Sequence, residues 1–356
     1  MIGLRHRSCL ALAALLAIGL FACKKQEDAA PTKAPPPKQA PPAKPAAAAE
    51  LTDPVCTSRW SEEGEVKALE AGGKTFQIKG THATETSKDD DDQLVLGLVA
   101  DTKEDTAENL ANLDAILKFF KDSQAEAIVI DGDLGEDQKQ IEAVLDKVST
   151  AGLPVFAIIG NREGRTAFSD AMTQASSRHP NLVSLNKIRL VTFDDGALLS
   201  VPGYHNKVYL HAEDGCLYSA ADLEASLPIV QAAKGKPLVM VSHGPPKQEG
   251  ADALDRTLEQ VNVGDPALFD FIKNNGIKFG VFANIHEAGG RATNLTGQSL
   301  IPEGKLSDEL FVSIGPADSV RWTMNDGTES VGMASVLTLK GDKAMFKVLR
   351  LPKKAG

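Results

Sequence analysis

The stretch VFAIIGNREG, residues 155–164, places an apolar run directly before a polar turn. The run 155–159 is typical of a strand that is buried on both faces. It stops at a glycine, and three polar residues follow: Asn161, Arg162 and Glu163. One explanation for these polar residues is an ordinary turn. The other is a metal site, either intact or altered.

Outward from this stretch, strand and helix patterns alternate along the chain. Continuous apolar runs predict buried strands, and apolar residues at helical spacing predict amphipathic helices. The predicted strands are 94–100, 127–131, 154–159, 182–185, 189–193, 197–201, 237–241, 277–282, 309–314, 334–339 and 343–351. The first predicted helix begins after Asp105, a candidate N-cap with Glu108 three residues later. The other predicted helices cover 136–149, 165–177, 220–233 and 266–274.

This order of elements predicts an α/β fold, with a parallel core of βαβ units and additional antiparallel strands. The β-rich second half favours two packed sheets with helices outside. The predicted domain is 94–356. The preceding residues, 51–93, are interpreted as an N-terminal extension with an acidic loop, Asp89–Asp92. This loop is interpreted as solvated rather than as a calcium site, because it lacks further acceptors at fixed spacing.

The chain begins with features of an exported protein. Residues 1–22 combine basic positions with an apolar stretch that is too short to span a membrane in the mature protein. The sequence Leu20-Phe21-Ala22-Cys23 resembles the lipobox of bacterial lipoproteins, in which the cysteine carries lipid; a plain signal peptide cut near Ala22 is the alternative. Residues 23–50, rich in Ala, Pro and Lys, predict a disordered tether.

These features predict a protein of the bacterial cell envelope, bound to a membrane through its N-terminal lipid anchor, with its domain periplasmic or surface-exposed. Lys24 after the cysteine favours the outer membrane over the inner one. The exported setting also predicts a disulfide between Cys56 and Cys216, with two free buried thiols as the alternative. The net charge of −10 and the lack of a basic stripe argue against nucleic acid as a partner.

Five predicted strands end in groups that bind metal ions. Ligands of parallel sheets bind beyond the carboxyl ends of the strands, and carboxylate, amide and imidazole groups suit Mn, Fe or Zn. Each residue alone has an ordinary structural explanation, such as a helix cap or a turn. The occurrence of all five at one edge of the sheet is harder to explain by packing alone. They are Asp101, Asp133, Asn161, His243 and His286.

In this order the residues resemble the signature of the calcineurin-like metallophosphoesterases: Asp-x-His, Gly-Asp, Gly-Asn-His-Asp/Glu, a lone His and Gly-His-x-His. The match covers most of 94–315. The resemblance implies a four-layer αββα sandwich of two mixed sheets with flanking helices. It also implies two metal ions bridged by an Asp and by a hydroxide that attacks phosphorus. The matching ligands are Asp101 and His286 for the first metal, Asp133 for both, and Asn161 and His243 for the second.

Lys103, Arg162 and Asn284 stand where the resemblance leads us to expect histidines. Lys103 cannot bind a metal while it is protonated. We expect its ammonium near Asp101 and Asp133, in the place of the first metal. Arg162 can clamp a phosphate but cannot donate a proton near neutral pH. Asn284 can offer its side-chain oxygen to the second metal.

Two hypotheses follow for the function. The first is a phosphoesterase of weak or altered activity that acts on a phosphorylated small molecule, with one metal and two fixed cations, Lys103 and Arg162. The second is a pseudoenzyme that binds a protein of the envelope. We expect at most one divalent ion (Mn, Fe or Zn) per chain, with no metal as the alternative. Glu136, Glu163 and His205 are candidates to substitute for missing groups, although His205 is better interpreted as a loop residue.

Overall fold

The structure, a computed structural model, describes residues 53–352. The predicted signal peptide (1–22), the predicted lipidation at Cys23 and the predicted tether (23–50) lie outside the described residues. Within 53–352, no helix combines the length and the apolar character that crossing a membrane requires.

Seventeen strands and six α-helices form the described part of the chain. The strands are β1 (Lys67–Ala71), β2 (Lys74–Lys79), β3 (His82–Glu85), β4 (Gln93–Val99), β5 (Ala127–Asp131), β6 (Val155–Ile158), β7 (Leu182–Ser184), β8 (Leu190–Thr192), β9 (Ala197–Val201), β10 (Leu238–Ser242), β11 (Phe279–Phe282), β12 (Arg291–Thr293), β13 (Leu310–Ser313), β14 (Trp322–Thr323), β15 (Glu329–Ser330), β16 (Met333–Lys340) and β17 (Lys343–Arg350). The helices are α1 (Ala107–Asp122), α2 (Gln138–Ser149), α3 (Arg165–Arg178), α4 (Ala220–Glu224), α5 (Leu227–Ala232) and α6 (Pro266–Asn274).

Two mixed sheets contain most of these strands. One has six strands in the order β17-β16-β4-β5-β6-β7, and β4 to β7 run parallel. The other has nine strands in the order β1-β2-β3-β8-β9-β10-β11-β13-β12, with β9, β10, β11 and β13 parallel. The predicted C-terminal hairpin forms β16 and β17, and β16 pairs antiparallel with β4. A short separate pair, β14 and β15, lies outside both sheets.

The alternation of side chains along β4 builds two layers of core. Leu94, Leu96 and Leu98 belong to the core between the two sheets, whereas Val95 and Val99 pack with helices α1 to α3. Helices α4 to α6 cover the outer face of the nine-stranded sheet in the same way. The layers therefore run helix, sheet, sheet, helix, and the predicted αββα fold class is confirmed.

Helix starts differ from the sequence prediction at two places. Asp105 is not the N-cap of α1. Thr106 has that role, and its hydroxyl accepts the backbone N–H of Asn109 at 3.2 Å. Helix α2 begins at Gln138 rather than at residue 136, because the Asp137 carboxylate accepts the N–H of Gln140 at 3.0 Å.

The single helix predicted over 220–233 is also wrong, because two short helices, α4 and α5, occupy this segment. Pro228 has no backbone N–H, so it cannot make the bond that would continue α4 through this point. The Ser226 hydroxyl instead donates to the backbone carbonyl of Asp222 at 2.9 Å. The chain thus restarts at Leu227, with the proline in the first turn, where a proline is tolerated.

The segment before residue 94 contributes strands to the fold that the sequence patterns did not predict. Strands β1, β2 and β3 extend the nine-stranded sheet, and β3 pairs with β8. Phe76 of β2 is fully buried, and its ring lies 6.0 Å from that of Phe156 and 5.5 Å from that of Phe193. The acidic loop Asp89–Asp92 is exposed. This extension is therefore partly integrated into the core of the sandwich.

A disulfide joins Cys56 to Cys216, the pair predicted from the cysteine content, with a Cα–Cα distance of 5.4 Å. Both cysteines are buried. The bond closes a loop of 160 residues. In the chain-entropy description, closing so long a loop removes about 5 kcal/mol of conformational freedom from the unfolded chain.

Replacing both cysteines by serine should lower the free energy of unfolding by about 2–5 kcal/mol. Urea denaturation of the double variant and of the oxidised wild type would measure this difference. Wild type treated with a phosphine reductant provides the matched control, and we expect it to unfold at a similar urea concentration. Equal stability of oxidised and reduced protein would contradict the role given to this bond.

Candidate metal centre

The carboxyl ends of strands from both sheets bring the five predicted ligand residues together. The His243 Nε2 atom lies 3.2 Å from a carboxylate oxygen of Asp133 and 3.0 Å from the amide oxygen of Asn161. The His286 Nε2 atom lies 3.4 Å from a carboxylate oxygen of Asp101. Ligand atoms of Asp101, Asp133 and His243 all lie within 4.8 Å of one another. The two sheets therefore meet at a shared cluster of metal-binding groups.

Four residues at or beside this cluster have unusual backbone conformations. Asp101, Lys103, Asp133 and Asn284 have φ angles of 54°, 64°, 55° and 59°. This left-handed region is uncommon for residues other than glycine, although Asp and Asn tolerate it best. Such conformations concentrate at functional sites, where the surrounding structure holds them in place.

Two glycines let the turns after β5 and β6 approach each other. A Cβ atom on Gly160 would lie 2.4 Å from a carboxylate oxygen of Asp133. A Cβ atom on Gly132 would lie 2.6 Å from the Gly160 Cα and 2.7 Å from the His243 Nδ1. All these distances are too short for a side chain. The glycines in the Gly-Asp and Gly-Asn pairs are therefore required by close packing around the cluster.

A backbone contact fixes the orientation of the His243 ring. Its Nδ1 lies 2.6 Å from the carbonyl oxygen of Asp131. Because a carbonyl oxygen only accepts, Nδ1 carries the hydrogen and Nε2 faces Asp133 and Asn161. Metal-binding histidines are commonly held in this way. Burial is the largest influence on the pKa of His243 and lowers it, but Asp133, Asp101 and Asp131 together outweigh burial and raise this pKa.

Two buried carboxyl groups at the cluster lack hydrogen bonds. All four side-chain oxygens of Asp101 and Asp131 are buried and have no hydrogen-bond partner among the described residues. Burial, together with the charges of Asp101 and Asp133, raises the pKa of Asp131 to about 8. A buried carboxyl group without hydrogen bonds is costly, and a divalent cation would supply the missing partner. The residues present at this edge therefore fit a metal ion.

Among the three candidates to substitute for missing groups, Glu163 has a structural role. Its carboxylate accepts the backbone N–H of Leu134 and, at 3.0 Å, that of Gly160, so it ties the two turns together. Burial raises the pKa of Glu163 to about 7. Glu136 is exposed and accepts a hydrogen bond from Arg162. His205 packs on Tyr204, at 4.8 Å between ring centres.

The expected position of Lys103 is wrong. Its ammonium does not take the place of a metal beside Asp101 and Asp133. It donates to the Asp318 carboxylate at 2.8 Å and lies 4.2 Å from the centre of the Trp322 ring. The cause is a second acidic group, because Asp318 is buried and forms a close ion pair with the lysine. The Asp101 oxygens thus stay free of the lysine.

A cleft of about 380 Å³ opens onto the cluster. Lys103 and Arg162 line it, as do Asn284 and His286. The sequence patterns missed three other groups in or beside this cleft. His211 lies on a loop without periodicity, and Asp318 and Trp322 lie several residues beyond β13, where no strand-end pattern marks them. The side-chain N–H of Trp322 donates to Asp318 at 2.9 Å, and its ring lies 4.1 Å from that of His286.

Solved structures resemble the chain in fold at low identity. One is 15% identical, covers 73% of this chain and 100% of its own, and has a TM-score of 0.52. TT1561 of Thermus thermophilus is 16% identical, covers 71% of this chain and 98% of its own, and has a TM-score of 0.49. A dimetal phosphatase from Danio rerio is 10% identical, covers 73% of this chain and 99% of its own, and has a TM-score of 0.47. No protein-family model matches the sequence, and the comparison with curated proteins gave no match. At these identities the likeness concerns the fold alone.

Replacing Asp101 by Asn should leave the metal-free protein equally stable or more stable, because the substitution removes a buried charge that accepts no hydrogen bond from the described residues. Replacing Asp318 by Asn should instead lower the free energy of unfolding by about 1–3 kcal/mol, because it leaves Lys103 without its partner. Urea denaturation in EDTA measures both changes. A large destabilisation by Asp101→Asn would mean that this carboxylate has a structural partner.

Added Mn²⁺ should raise the melting temperature of wild type more than that of Asp101→Asn.

Proposed function

We propose that this domain is a calcineurin-like metallophosphoesterase that binds a divalent ion and hydrolyses phosphoesters weakly. The observation that carries the proposal is the convergence of Asp133, Asn161 and His243, with the Asp101 carboxyl group, which accepts no hydrogen bond from the described residues, beside them. Neighbouring ligands of a small divalent ion lie about 3 Å apart. The contacts of His243 with Asp133 and Asn161 have this spacing.

Asp133, Asn161, His243 and Asn284 would hold the ion, and Asp101 would balance its charge. A divalent ion bound there supplies a water of lowered pKa and stabilises charge on phosphorus. Of the cleft cations, Arg162 bonds to the exposed Glu136 through one terminal nitrogen, which can turn to a phosphate oxygen, while its Nε atom lies 3.9 Å from the Asp133 carboxylate. Lys103 is committed to Asp318, so it contributes a fixed positive charge at the wall.

The ligand would be a phosphorylated small molecule. The cleft places guanidinium, ammonium and imidazole groups around a volume of about 380 Å³. Such groups recognise phosphate through charge-assisted hydrogen bonds.

We also propose a cellular setting for the domain: the lipobox-like Cys23 and the tether would hold it in the bacterial envelope, with the outer membrane favoured over the inner one. Labelling with a radioactive fatty acid, lost in Cys23→Ser, would test this anchoring.

A second candidate function is a non-catalytic envelope protein that binds a partner protein. The observation in its favour is Arg162, which stands where the resemblance leads us to expect the proton donor and is hydrogen-bonded to Glu136. A guanidinium does not release a proton near neutral pH, so the leaving group would depart without this help. General acid catalysis is worth about 10²–10⁴ in rate, which is the deficit we expect in a surviving enzyme.

Metal analysis of the purified protein together with turnover assays should separate the two functions. We expect at most one divalent ion per chain and slow, Mn²⁺-dependent hydrolysis of p-nitrophenyl phosphate or bis-p-nitrophenyl phosphate. His243→Ala is the matched control and should abolish both. Two ions and rapid turnover would exclude the non-catalytic candidate. A metal-free protein without turnover in added Mn²⁺ would exclude the enzyme.

Restoring the three expected histidines tests whether the site is an altered phosphoesterase centre. The triple substitution Lys103→His, Arg162→His and Asn284→His should raise the number of bound ions from at most one towards two, because it supplies imidazole ligands for both positions. Metal content after dialysis against Mn²⁺ measures the change. Unchanged metal content in a folded triple variant would count against the proposed ancestry of the site.

A further inference from the structure

The two amide side chains of the cluster raise a question of orientation. An amide group has an oxygen that accepts and a nitrogen that only donates. Only the oxygen binds a hard or borderline divalent ion. A ligand position filled by Asn therefore works only if another group holds the nitrogen and turns the oxygen to the ion.

For Asn161 the holding group is a backbone carbonyl. Its amide nitrogen donates to the carbonyl oxygen of Tyr209 at 2.7 Å. Because this carbonyl can only accept, the nitrogen must face Tyr209. The oxygen consequently faces the Nε2 atom of His243, at 3.0 Å.

For Asn284 the holding group is the hydroxyl of Tyr204, which accepts from the amide nitrogen at 2.7 Å. The ring of Tyr204 is fully buried. A Cβ atom on Gly244 would lie 2.6 Å from this ring, so the ring has little room to move. Asn284 lines the cleft beside Asp133. With the nitrogen held by Tyr204, the Asn284 oxygen remains available to an ion in this cleft.

Both holding groups belong to one segment, 203–218, which is itself firmly attached. The Tyr204 N–H donates to the Cys216 carbonyl, and the Tyr218 N–H donates to the Tyr204 carbonyl, each at 2.9 Å. Cys216 is bonded to Cys56 by the disulfide. The Asn206 side chain accepts the Val208 N–H at 3.0 Å and closes the turn before Tyr209. Hydrogen bonds and the disulfide therefore hold this segment in place around Tyr204 and Tyr209, the two residues that bond to the amides.

We propose that Tyr204 is a positioning residue for metal binding: its hydroxyl accepts from the Asn284 nitrogen and so leaves the Asn284 oxygen to the ion. The Tyr209 carbonyl, which can only accept, has the same effect on Asn161. This inference rests on the proposed function. It explains how Asn can stand at 284, where the resemblance leads us to expect a histidine. An ion held by Asp133, His243 and two amide oxygens has a donor set that suits Mn²⁺.

Tyr204→Phe in the purified full chain is the decisive variant, with Mn²⁺ as the probe. Calorimetric titration should show Mn²⁺ binding about 10-fold weaker than in wild type, the usual loss when the group that orients a ligand is removed. Tyr218→Phe is the matched control, because this tyrosine is also buried in the segment and its hydroxyl bonds to neither amide. We expect its Mn²⁺ affinity to equal that of wild type.

A second experiment, in the Asn284→Ala variant, separates an effect of Tyr204 on the orientation of Asn284 from a general structural effect of its loss. In Asn284→Ala there is no amide to orient, so adding Tyr204→Phe should cause no further loss of Mn²⁺ affinity. A loss that persists in this background, or equal binding by wild type and Tyr204→Phe, would overturn the inference alone. Absence of Mn²⁺ binding in wild type would overturn the proposed function, and the inference would fall with it.

Discussion

Three carboxyl groups, Asp101, Asp131 and Asp133, are buried at one edge of the sandwich, and the cost of burying them together is the constraint on which the site depends. Asp133 is stabilised by backbone N–H groups of Asn161 and Arg162, at 3.1 and 2.9 Å. Asp101 and Asp131 have no such partners among the described residues. Hydrophobic packing of two sheets brings these groups together, and a cation is the simplest means of balancing them. The fold thus stabilises an arrangement that its own side chains leave electrostatically incomplete.

The substitutions at the expected histidine positions follow a common pattern. Lys103 and Arg162 each bring a cation to the cleft, and each is paired with an acid, Asp318 or Glu136. The two pairs differ in burial: the Asp318 side chain is 1% exposed, whereas that of Glu136 is 63% exposed. A buried pair is rigid and costly to break, whereas an exposed pair exchanges readily with a bound anion. Of the two cations, only Arg162 is therefore available to a bound anion.

The periphery of the domain is linked to its centre through the segment 203–218. The disulfide attaches this segment to the chain before β1, and the segment in turn contacts Asn161 and Asn284. Amide ligands need such support more than carboxylates do, because only one end of an amide can bind a cation. A site with an amide at a ligand position consequently depends on residues that are not ligands.

The sequence by itself determined the α/β class, most strands and helices, and the five strand ends that carry Asp101, Asp133, Asn161, His243 and His286. These features are local, since apolar periodicity reports burial and parallel strands align their carboxyl ends. The sequence alone did not predict that β3 pairs with β8, which residue is the partner of Lys103, or that Tyr204 contacts Asn284. Lys103 and Asp318 are 215 residues apart, and Asn284 and Tyr204 are 80 apart. Only the tertiary structure decided these contacts, because no local pattern records which distant side chains meet once the two sheets have packed.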